Sequence, residues 1–205
     1  MAENSLNVIR TEDERQLIQQ LIQQLMKGDE SAFKQIVETR KLLVYNTVFG
    51  LLQNPEDAED VTQEVFIKVF EVIHQFKGES SFSTWIYKIA VTKSLELIRK
   101  GKRKKRFAFI TSLFGENEEI KYDPPEVNHP GVVLENRENA NKLFAAIRQL
   151  PENQRVAFTL HKVEGIPYQE ISEIMNMSVS AIESLIHRAK TNLKKILKDY
   201  YLNNK

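Results

Sequence analysis

Apolar side chains recur every three or four residues along most of this 205-residue chain, the spacing that lines one face of an α-helix. The pattern runs through residues 14–27, 29–53, 57–74 and 82–101. No stretch alternates apolar and polar residues as a half-buried strand does. The sequence therefore predicts an all-α fold.

Composition narrows the class of protein. Charged residues make up 28% of the chain and hydrophobic residues 41%, and no apolar run approaches the roughly 20 residues that a membrane-spanning helix needs. Acidic residues at 12–14 stand where a signal peptide would need its apolar core. We therefore predict a cytoplasmic protein without membrane insertion.

Metal and cofactor chemistry are not expected. The chain has no cysteine, which excludes disulfides and thiolate metal ligands, and its four histidines are too scattered to suggest a metal site. We predict no cofactor. The net charge of +1 is small for a nucleic-acid-binding protein, because nonspecific affinity grows with the number of phosphates neutralised. The chain is thus expected to bind DNA weakly without a partner.

The C-terminal region has the pattern of a helix-turn-helix. A short helix, Tyr168–Met175, precedes a tight turn at residues 176–178 and a longer helix over residues 179–197. Ser178 is suited to cap this second helix, whose first turns would enter the DNA major groove. The alternative is plain packing, since helix pairs are common in all-helical proteins. The polar candidates for base or phosphate contact are Ser178, Ser180, Glu183, Ser184, His187, Arg188 and Lys190.

Glu183 has two interpretations. Its carboxylate can accept a hydrogen bond from a cytosine amino group in the major groove. It can instead close a capping box with Ser180. The residues alone leave both open.

The helix predicted over residues 57–74 is acidic on one side. Pro55 suits its first turn, where acidic groups also favour the positive end of the helix dipole. Its valines and Ile73 recur at the spacing of a buried stripe. The acidic side is either a solvated face or a surface that docks another protein. It carries Asp57, Asp60, Glu64 and Glu71.

Aromatic residues next to a basic run suggest contact with unpaired bases, which stack on rings while cationic side chains follow the backbone. Trp85 belongs to a stripe with helical spacing and is predicted to be core. The loop at residues 76–81 and the opposite face of the next helix are better placed to touch bases. The basic run contacts phosphates or is a solvated tail. The candidates are Phe76, Lys77, Ser80, Ser81, Tyr87, Lys88, Thr92, Arg99, Lys100, Lys102 and Arg103.

The sequence changes character over residues 102–136. A basic run is followed by apolar residues at 107–114, acidic residues at 116–123 and then three prolines. No single period survives, and a segment of this length without secondary structure is usually flexible or functional. We therefore predict two small helical domains with independent cores, at residues 1–101 and 137–205, joined by a flexible linker at 102–136.

Three segments, in this order, resemble the extracytoplasmic-function sigma factors, a class of small two-domain sigma factors of bacterial RNA polymerase. Residues 54–66 read NPEDAEDVTQEVF and resemble the polymerase-binding helix of the sigma-two domain. Residues 81–90 read SFSTWIYKIA and resemble its promoter-melting segment. The third segment resembles the sigma-four domain in three stretches: LPENQR at 150–155, EGIPYQEI at 164–171 and HRAK at 187–190.

The resemblance implies a fold, a function and partners. A sigma-two helical bundle and a sigma-four helix-turn-helix domain would direct core RNA polymerase to promoter DNA without catalysing a reaction. The sigma-two domain would capture an unpaired base of the proximal element, and sigma-four would read the distal element as duplex. The linker would thread the RNA exit path, and an anti-sigma factor is a further expected partner. By position, polymerase binding falls to Asp57, Asp60, Gln63 and Glu64.

Three departures limit what carries over. The apolar stretch at residues 107–114 is unusual in the linker, and a regulator could bind there. Thr92 and Glu96 stand where many relatives have asparagine and aspartate, which affects base-pocket specificity, and Glu183 and Leu185 replace basic residues of the recognition helix. Two rival functions remain on the residues alone. A free-standing helix-turn-helix regulator would bind its operator tightly without polymerase. A helical adaptor would bind proteins only.

Overall fold

The computed structural model describes residues 16–114 and 137–203, with side chains placed for residues 16–104 and 142–198. These residues are helical with short connections and contain no strand, which confirms the all-α prediction for the described part of the chain. In the N-terminal half, α1 covers residues 16–26. It is followed by α2 (Glu30–Leu52), α3 (Pro55–Val72), a short 3₁₀ turn (Ile73–Gln75) and α4 (Phe82–Phe114).

The C-terminal half begins with α5 (Arg137–Arg148) and α6 (Glu152–Phe158). A π-helical turn (Thr159–Val163) continues directly from α6. The last two helices, α7 (Tyr168–Met175) and α8 (Val179–Asn203), are the predicted helix-turn-helix, with α8 extending past the predicted end at residue 197. Asn176 makes the turn between them possible with a left-handed backbone, φ 52°.

Short polar side chains cap the first turns of α2, α3 and α4. The Asp29 carboxylate accepts a hydrogen bond from the Ser31 amide at 2.9 Å, and the Asn54 amide oxygen accepts one from the Asp57 amide at 3.1 Å. The Ser81 hydroxyl accepts one from the Thr84 amide at 3.0 Å. Each bond satisfies an amide that the first turn of a helix leaves unpaired.

The predicted end of the fourth helix at Gly101 is wrong. α4 continues through the basic run to Phe114, because a single exposed glycine costs a helix only about 1 kcal/mol and the residues after it are good helix formers. The basic residues therefore follow a helix axis. Most of the predicted linker falls at residues 115–136, which are outside the described residues. The apolar side chains at 107–114 are outside the described side chains.

The predicted independence of the two cores is also wrong. One buried cluster belongs to α1–α4, with Phe49 and Val65 among its fully buried members, and another lies within α5, α6 and α8. A third cluster crosses between the halves and packs Leu51, Tyr87 and Val91 against the C-terminal helices. Periodicity cannot reveal this third cluster, because it identifies a buried stripe but not the helix that covers it.

Candidate nucleic-acid and polymerase interfaces

The acidic side of α3 faces solvent. Val61, Val65 and Val69 are at most 3% exposed, while Asp60 and Glu64 lie on the exposed side. The predicted amphipathic division of this helix is confirmed. Ion pairs reach the acidic side from Lys93 Nζ to a Glu64 carboxylate oxygen at 3.3 Å and from Lys68 Nζ to a Glu71 carboxylate oxygen at 3.0 Å, and both are largely open to water. Gln63 is exposed beside them.

Asp57 differs from the other acidic residues of α3. It is half-buried, and its amide is bound by the cap residue Asn54. Burial raises the pKa of the Asp57 carboxyl, and repulsion from Asp60 and Glu56 adds to the rise. Asp57 is therefore less available to a partner than Asp60 or Glu64.

Two apolar side chains beside the acidic group were missed by the sequence reasoning. Ile67 is 60% exposed and Phe70 is 47% exposed. Ile67 follows Asp60 by seven residues and Gln63 by four, which places it on the same face of α3. That spacing was visible in the sequence, but it does not distinguish an exposed apolar residue from a buried one.

An aromatic cluster begins α4. The rings of Phe76, Phe82 and Trp85 lie with their centroids 5.4 to 5.8 Å apart, and Phe82 is buried. Trp85 is partly buried against the N-terminal core, in agreement with its predicted core role. The cluster supports the loop before α4, in which Lys77 and Ser81 are exposed and Ser80 is half-buried.

That loop borders a cavity of about 610 Å³. Phe76, Ser80 and Ser81 line one side, and Arg40 of α2 and Glu170 of α7 contribute polar groups. The structure thus brings Phe76, Ser80 and Ser81 together in one concave site, whereas Lys77 does not line it. It also places a residue of the C-terminal half at the same site, which sequence reasoning did not anticipate.

The candidates on α4 divide into accessible and covered residues. Thr92 is exposed and donates a hydrogen bond to the Lys88 carbonyl at 2.7 Å, and Lys88 is half-buried. Tyr87 and Val91 are each 7% exposed. The expectation that their face is open to bases is not met in this structure, because the C-terminal helices cover it.

Burial and nearby acids also act on Tyr87. Burial raises the pKa of its hydroxyl to about 12, and the charges of Glu164 and Glu170 add to the rise. Both acids belong to the C-terminal half. The Tyr87 hydroxyl therefore stays protonated further into the alkaline range than a free tyrosine.

The basic run of α4 is exposed but partly engaged. Arg99 Nε and Lys102 Nζ each donate to a different carboxylate oxygen of Glu152, at 3.0 Å. Those bonds, led by that from Lys102, lower the pKa of the Glu152 carboxyl. Lys100 and Arg103 are exposed along the same stretch. No sequence signal linked Glu152 to this run.

The recognition helix α8 presents a polar face. Ile182 and Ile186 are at most 2% exposed, and Leu185 is also buried. The Ser178 hydroxyl accepts a hydrogen bond from the Ala181 amide at 3.3 Å and caps the helix as predicted. Every polar candidate on this helix is exposed: Ser178, Ser180, Glu183, Ser184, His187, Arg188 and Lys190.

The capping interpretation of Glu183 is wrong. The residue that caps α8 is Ser178, so Ser180 lies inside the helix and cannot form a capping box with Glu183. Glu183, Ser184, His187 and Arg188 instead line a shallow groove of about 410 Å³. The carboxylate therefore stands among the side chains expected to meet base edges.

The described residues offer neither a metal site nor a membrane span. They contain no group of three or more histidine, aspartate and glutamate side chains that could hold a metal ion. No described helix combines the length and apolar content needed to cross a bilayer.

Family models match both halves of the chain. Sigma-70 region 2 matches residues 36–104, and Sigma-70 region 4 matches residues 140–193. The matched regions contain α3 with its acidic side, the aromatic start of α4 and the helix-turn-helix. They cover the surfaces described above, apart from Ile18, Gln19 and Ile22 of α1, which also line the cavity beside Ser80.

Curated relatives share about a third of the sequence over most of its length. The ECF RNA polymerase sigma-E factor of Escherichia coli K12 is 32% identical, over 84% of this chain and 90% of its own. SigW, an ECF RNA polymerase sigma factor of Bacillus subtilis, is 32% identical over 89% of this chain and 98% of its own. The sigma-H factor of Pseudomonas aeruginosa is 31% identical over 87% and 93%.

Solved structures agree on the fold. CnrH, in complex with the cytosolic domain of CnrY, superposes with a TM-score of 0.64 at 18% identity, over 89% of this chain and 98% of CnrH. The sigma factor RpoE of Bartonella quintana, in complex with the anti-sigma factor NepR, gives 0.59 at 22% identity, over 81% and 96%. With the sequence relatives and both family models in agreement, the chain belongs to the extracytoplasmic-function sigma factors, which direct bacterial RNA polymerase to promoters.

Proposed function

We propose a division of labour among three surfaces of this sigma factor. The exposed side of α3 docks on core RNA polymerase, the loop at residues 76–81 with α4 holds the proximal promoter element, and the first turns of α8 read the distal element. The observation that carries the proposal is the polar face of α8, where every predicted contact residue is exposed while Ile182, Leu185 and Ile186 anchor the helix in the core.

The docking surface combines charge with apolar area. The polar part of the surface consists of hydrogen-bond acceptors and one amide, from Asp60, Gln63 and Glu64. The apolar part comes from Ile67 and Phe70, which water would otherwise cover. Such a patch rimmed by polar groups is typical of protein interfaces. Asp57 supports the first turn at the edge of this surface.

The proximal site is the cavity beside Ser80 and Ser81. Capturing an unpaired base there would offset the few kcal/mol that unstacking costs, so the duplex opens without ATP. Lys77, Lys88, Arg99, Lys100, Lys102 and Arg103 would neutralise backbone phosphates around it. Phe76 and Thr92 border the path of the strand, and Tyr87 joins them once its face is uncovered.

The remaining parts of the proposal concern the chain as a whole. The sigma-two domain occupies residues 1–101, the linker 102–136 and the sigma-four domain 137–205, with the linker following the RNA exit path. The protein has no catalytic activity, needs no cofactor and works in the cytoplasm. An anti-sigma factor is a further partner, a proposal supported by the NepR complex of RpoE.

Assembly with bacterial core RNA polymerase, followed by transcription from a randomised promoter pool, tests this function. We expect a stable complex on size-exclusion chromatography and initiation from a distinct subset of promoters. A chain that binds duplex DNA but never joins core polymerase would contradict the proposal and favour a free-standing regulator.

Glu183 and Lys194 provide a matched test of distal recognition. We expect Glu183→Gln to change which distal bases are selected, because its carboxylate lies among the groove residues. Lys194→Ala, about three turns further along α8, is expected to weaken all promoters about equally, as loss of a phosphate contact does. Sequencing transcripts from the randomised pool measures both. Identical base preferences for Glu183→Gln and the unmodified chain would contradict the assignment.

A further inference from the structure

A second cavity, of about 550 Å³, lies between the two halves of the chain. Its walls come from the end of α2, the first turn of α3, the stretch of α4 around Gly101, and the helices α5 and α6. None of these lining residues belongs to the cavity beside Ser80. Pockets of roughly 300 to 1,000 Å³ are typical of small-molecule sites in proteins. The cavity is therefore large enough for a small ligand.

The lining of this cavity is strongly basic. Among the described residues, five cations and one acid border it, and the acid is Asp57. The pKa of the Asp57 carboxyl is raised, first by burial and then by neighbouring acids, whereas a close cation would lower it. Asp57 therefore does not neutralise the cations around it. These are Lys100, Lys102, Lys104, Arg148 and Arg155.

Arg155 carries a buried charge that no carboxylate of the described residues pairs with. It is 4% exposed, its Nε makes no hydrogen bond, and one terminal amino group donates to the Leu51 carbonyl at 3.4 Å. Both carboxylate oxygens of the nearby Glu152 are already bound, by Arg99 and Lys102. Burial lowers the pKa of the Arg155 guanidinium. Because proteins normally pair a buried charge, this guanidinium favours an anion beside it.

Gly101 keeps the α4 wall of the cavity open. Leu97, Gly101 and Lys104 are spaced four and three residues apart, which places them on one face of the helix. A Cβ added at Gly101 would meet no heavy atom within 4 Å. The helix itself gains nothing from this glycine, since alanine would stabilise it by about 1 kcal/mol. What the glycine provides is space in the wall.

The lining chemistry selects a class of ligand. Lysine and arginine donate charge-assisted hydrogen bonds to phosphate oxygens, and the arginine fork can bind two of them at once. A single carboxylate would leave most of these cations without a partner. Half-buried apolar side chains complete the walls, from Leu52, Leu97 and Ile98. The cavity therefore suits a compact ligand with several negative charges.

We propose that this cavity binds a small ligand carrying two or more linked phosphate groups. Arg148 and Arg155 bind its phosphate oxygens from the sigma-four side, and Lys100 and Lys104 bind them from α4. Lys102 contributes charge while it donates to Glu152. The site goes beyond the proposed function, because it gives these side chains a ligand other than promoter DNA.

Inorganic tripolyphosphate is the first probe, titrated into the full chain in magnesium-free buffer and followed by isothermal titration calorimetry. Lys100→Gln combined with Lys104→Gln is expected to weaken its binding by about tenfold, because two donors to phosphate are lost. The matched control is Arg103→Gln combined with Lys34→Gln. It removes the same charge at exposed positions outside the cavity, one of them in the same basic run. The control should change the affinity less than twofold.

Two further variants test whether the anion lies inside the cavity. Gly101→Leu places a side chain in the open wall without changing charge, and it should weaken tripolyphosphate binding by about tenfold. Gly101→Ala adds only a methyl group and should bind as the unmodified chain does. Arg155→Gln keeps an amide donor for the Leu51 carbonyl and removes the charge. Tripolyphosphate should raise the unfolding temperature of the unmodified chain and of Gly101→Ala, but not that of Arg155→Gln.

The source of the phosphates is distinguished by comparing tripolyphosphate with ATP and GTP. If a nucleotide binds more tightly, and Leu97→Ala removes the difference, the base packs against the apolar walls and the ligand is a nucleoside polyphosphate. Equal affinities for all three would identify the phosphate chain alone as the ligand.

Three results would overturn the proposal. If the control pair loses as much affinity as the Lys100 and Lys104 pair, tripolyphosphate is attracted only diffusely to the basic surface. If Gly101→Leu binds as tightly as Gly101→Ala, the anion does not occupy the cavity. If the lysine pair weakens binding of a single-stranded promoter oligonucleotide and leaves tripolyphosphate binding unchanged, these lysines serve nucleic acid alone.

Discussion

Replacing Asp60 and Glu64 together with alanine is expected to weaken binding to core RNA polymerase by about 2 kcal/mol, which is roughly thirtyfold. Both carboxylates are on the exposed side of α3, beside Ile67 and Phe70, so their loss removes polar contacts from the middle of the proposed interface. The fold should survive, because the one ion pair removed, from Glu64 to Lys93, is open to water and contributes at most about 1 kcal/mol.

Affinity can be measured by competition with a labelled sigma factor for a limited amount of core polymerase. Glu38→Ala combined with Glu173→Ala makes the same change in net charge at exposed sites away from α3. That control separates a specific contact from a general loss of negative charge. Equal affinities for the α3 variant and the control would exclude α3 as the docking surface.

Glu164→Gln is expected to stabilise the protein at alkaline pH. It should also make the free energy of unfolding less dependent on pH. Burial raises the pKa of the Glu164 carboxyl from 4.5 to about 7. Between pH 4.5 and about 7, Glu164 therefore keeps a proton in the folded state that it has released in the unfolded state. Stability from this group is fully present below pH 4.5 and is lost as pH rises through 7.

The size of that loss is about 1 to 2 kcal/mol once the partial exposure of Glu164 is allowed for. Urea denaturation followed by circular dichroism at pH 5 and pH 8 measures it. The wild-type chain should lose stability relative to Glu164→Gln between these conditions, whereas exposed Glu173→Gln should track the wild type. If the free energies of unfolding of the wild type and Glu164→Gln differ by the same amount at pH 5 and pH 8, that result would contradict a raised pKa of the Glu164 carboxyl.

Local signals determined most of the secondary structure. Ser178 marks a helix start that the structure reproduces, because a cap needs only a short polar side chain and the amides of the next turn. The predicted helix end at Gly101 was wrong, although the effect of a glycine is also local. Its cost is local and small, and the helix formers around it outweigh it.

The family and the exposed faces of α3 and α8 also followed from the sequence. Charged residues at helical spacing can hardly be buried together, so Asp60, Glu64 and Arg188 were expected at the surface and lie there. Ile67 was missed, since an apolar residue at the same spacing gives no indication of whether another element covers it.

By itself, then, the sequence determined the helices, their caps, the helix-turn-helix and the class of protein, all of which depend on spacing within short segments. Only the tertiary structure decided that Tyr87 and Val91 are covered, that Glu152 meets Arg99 and Lys102, and that Gly50 lies against Thr159. These contacts join residues about 50 to 110 positions apart, and each depends on how whole helices pack. Amphipathic spacing shows that a face is buried, whereas the partner that buries it is settled by the packing of the two domains.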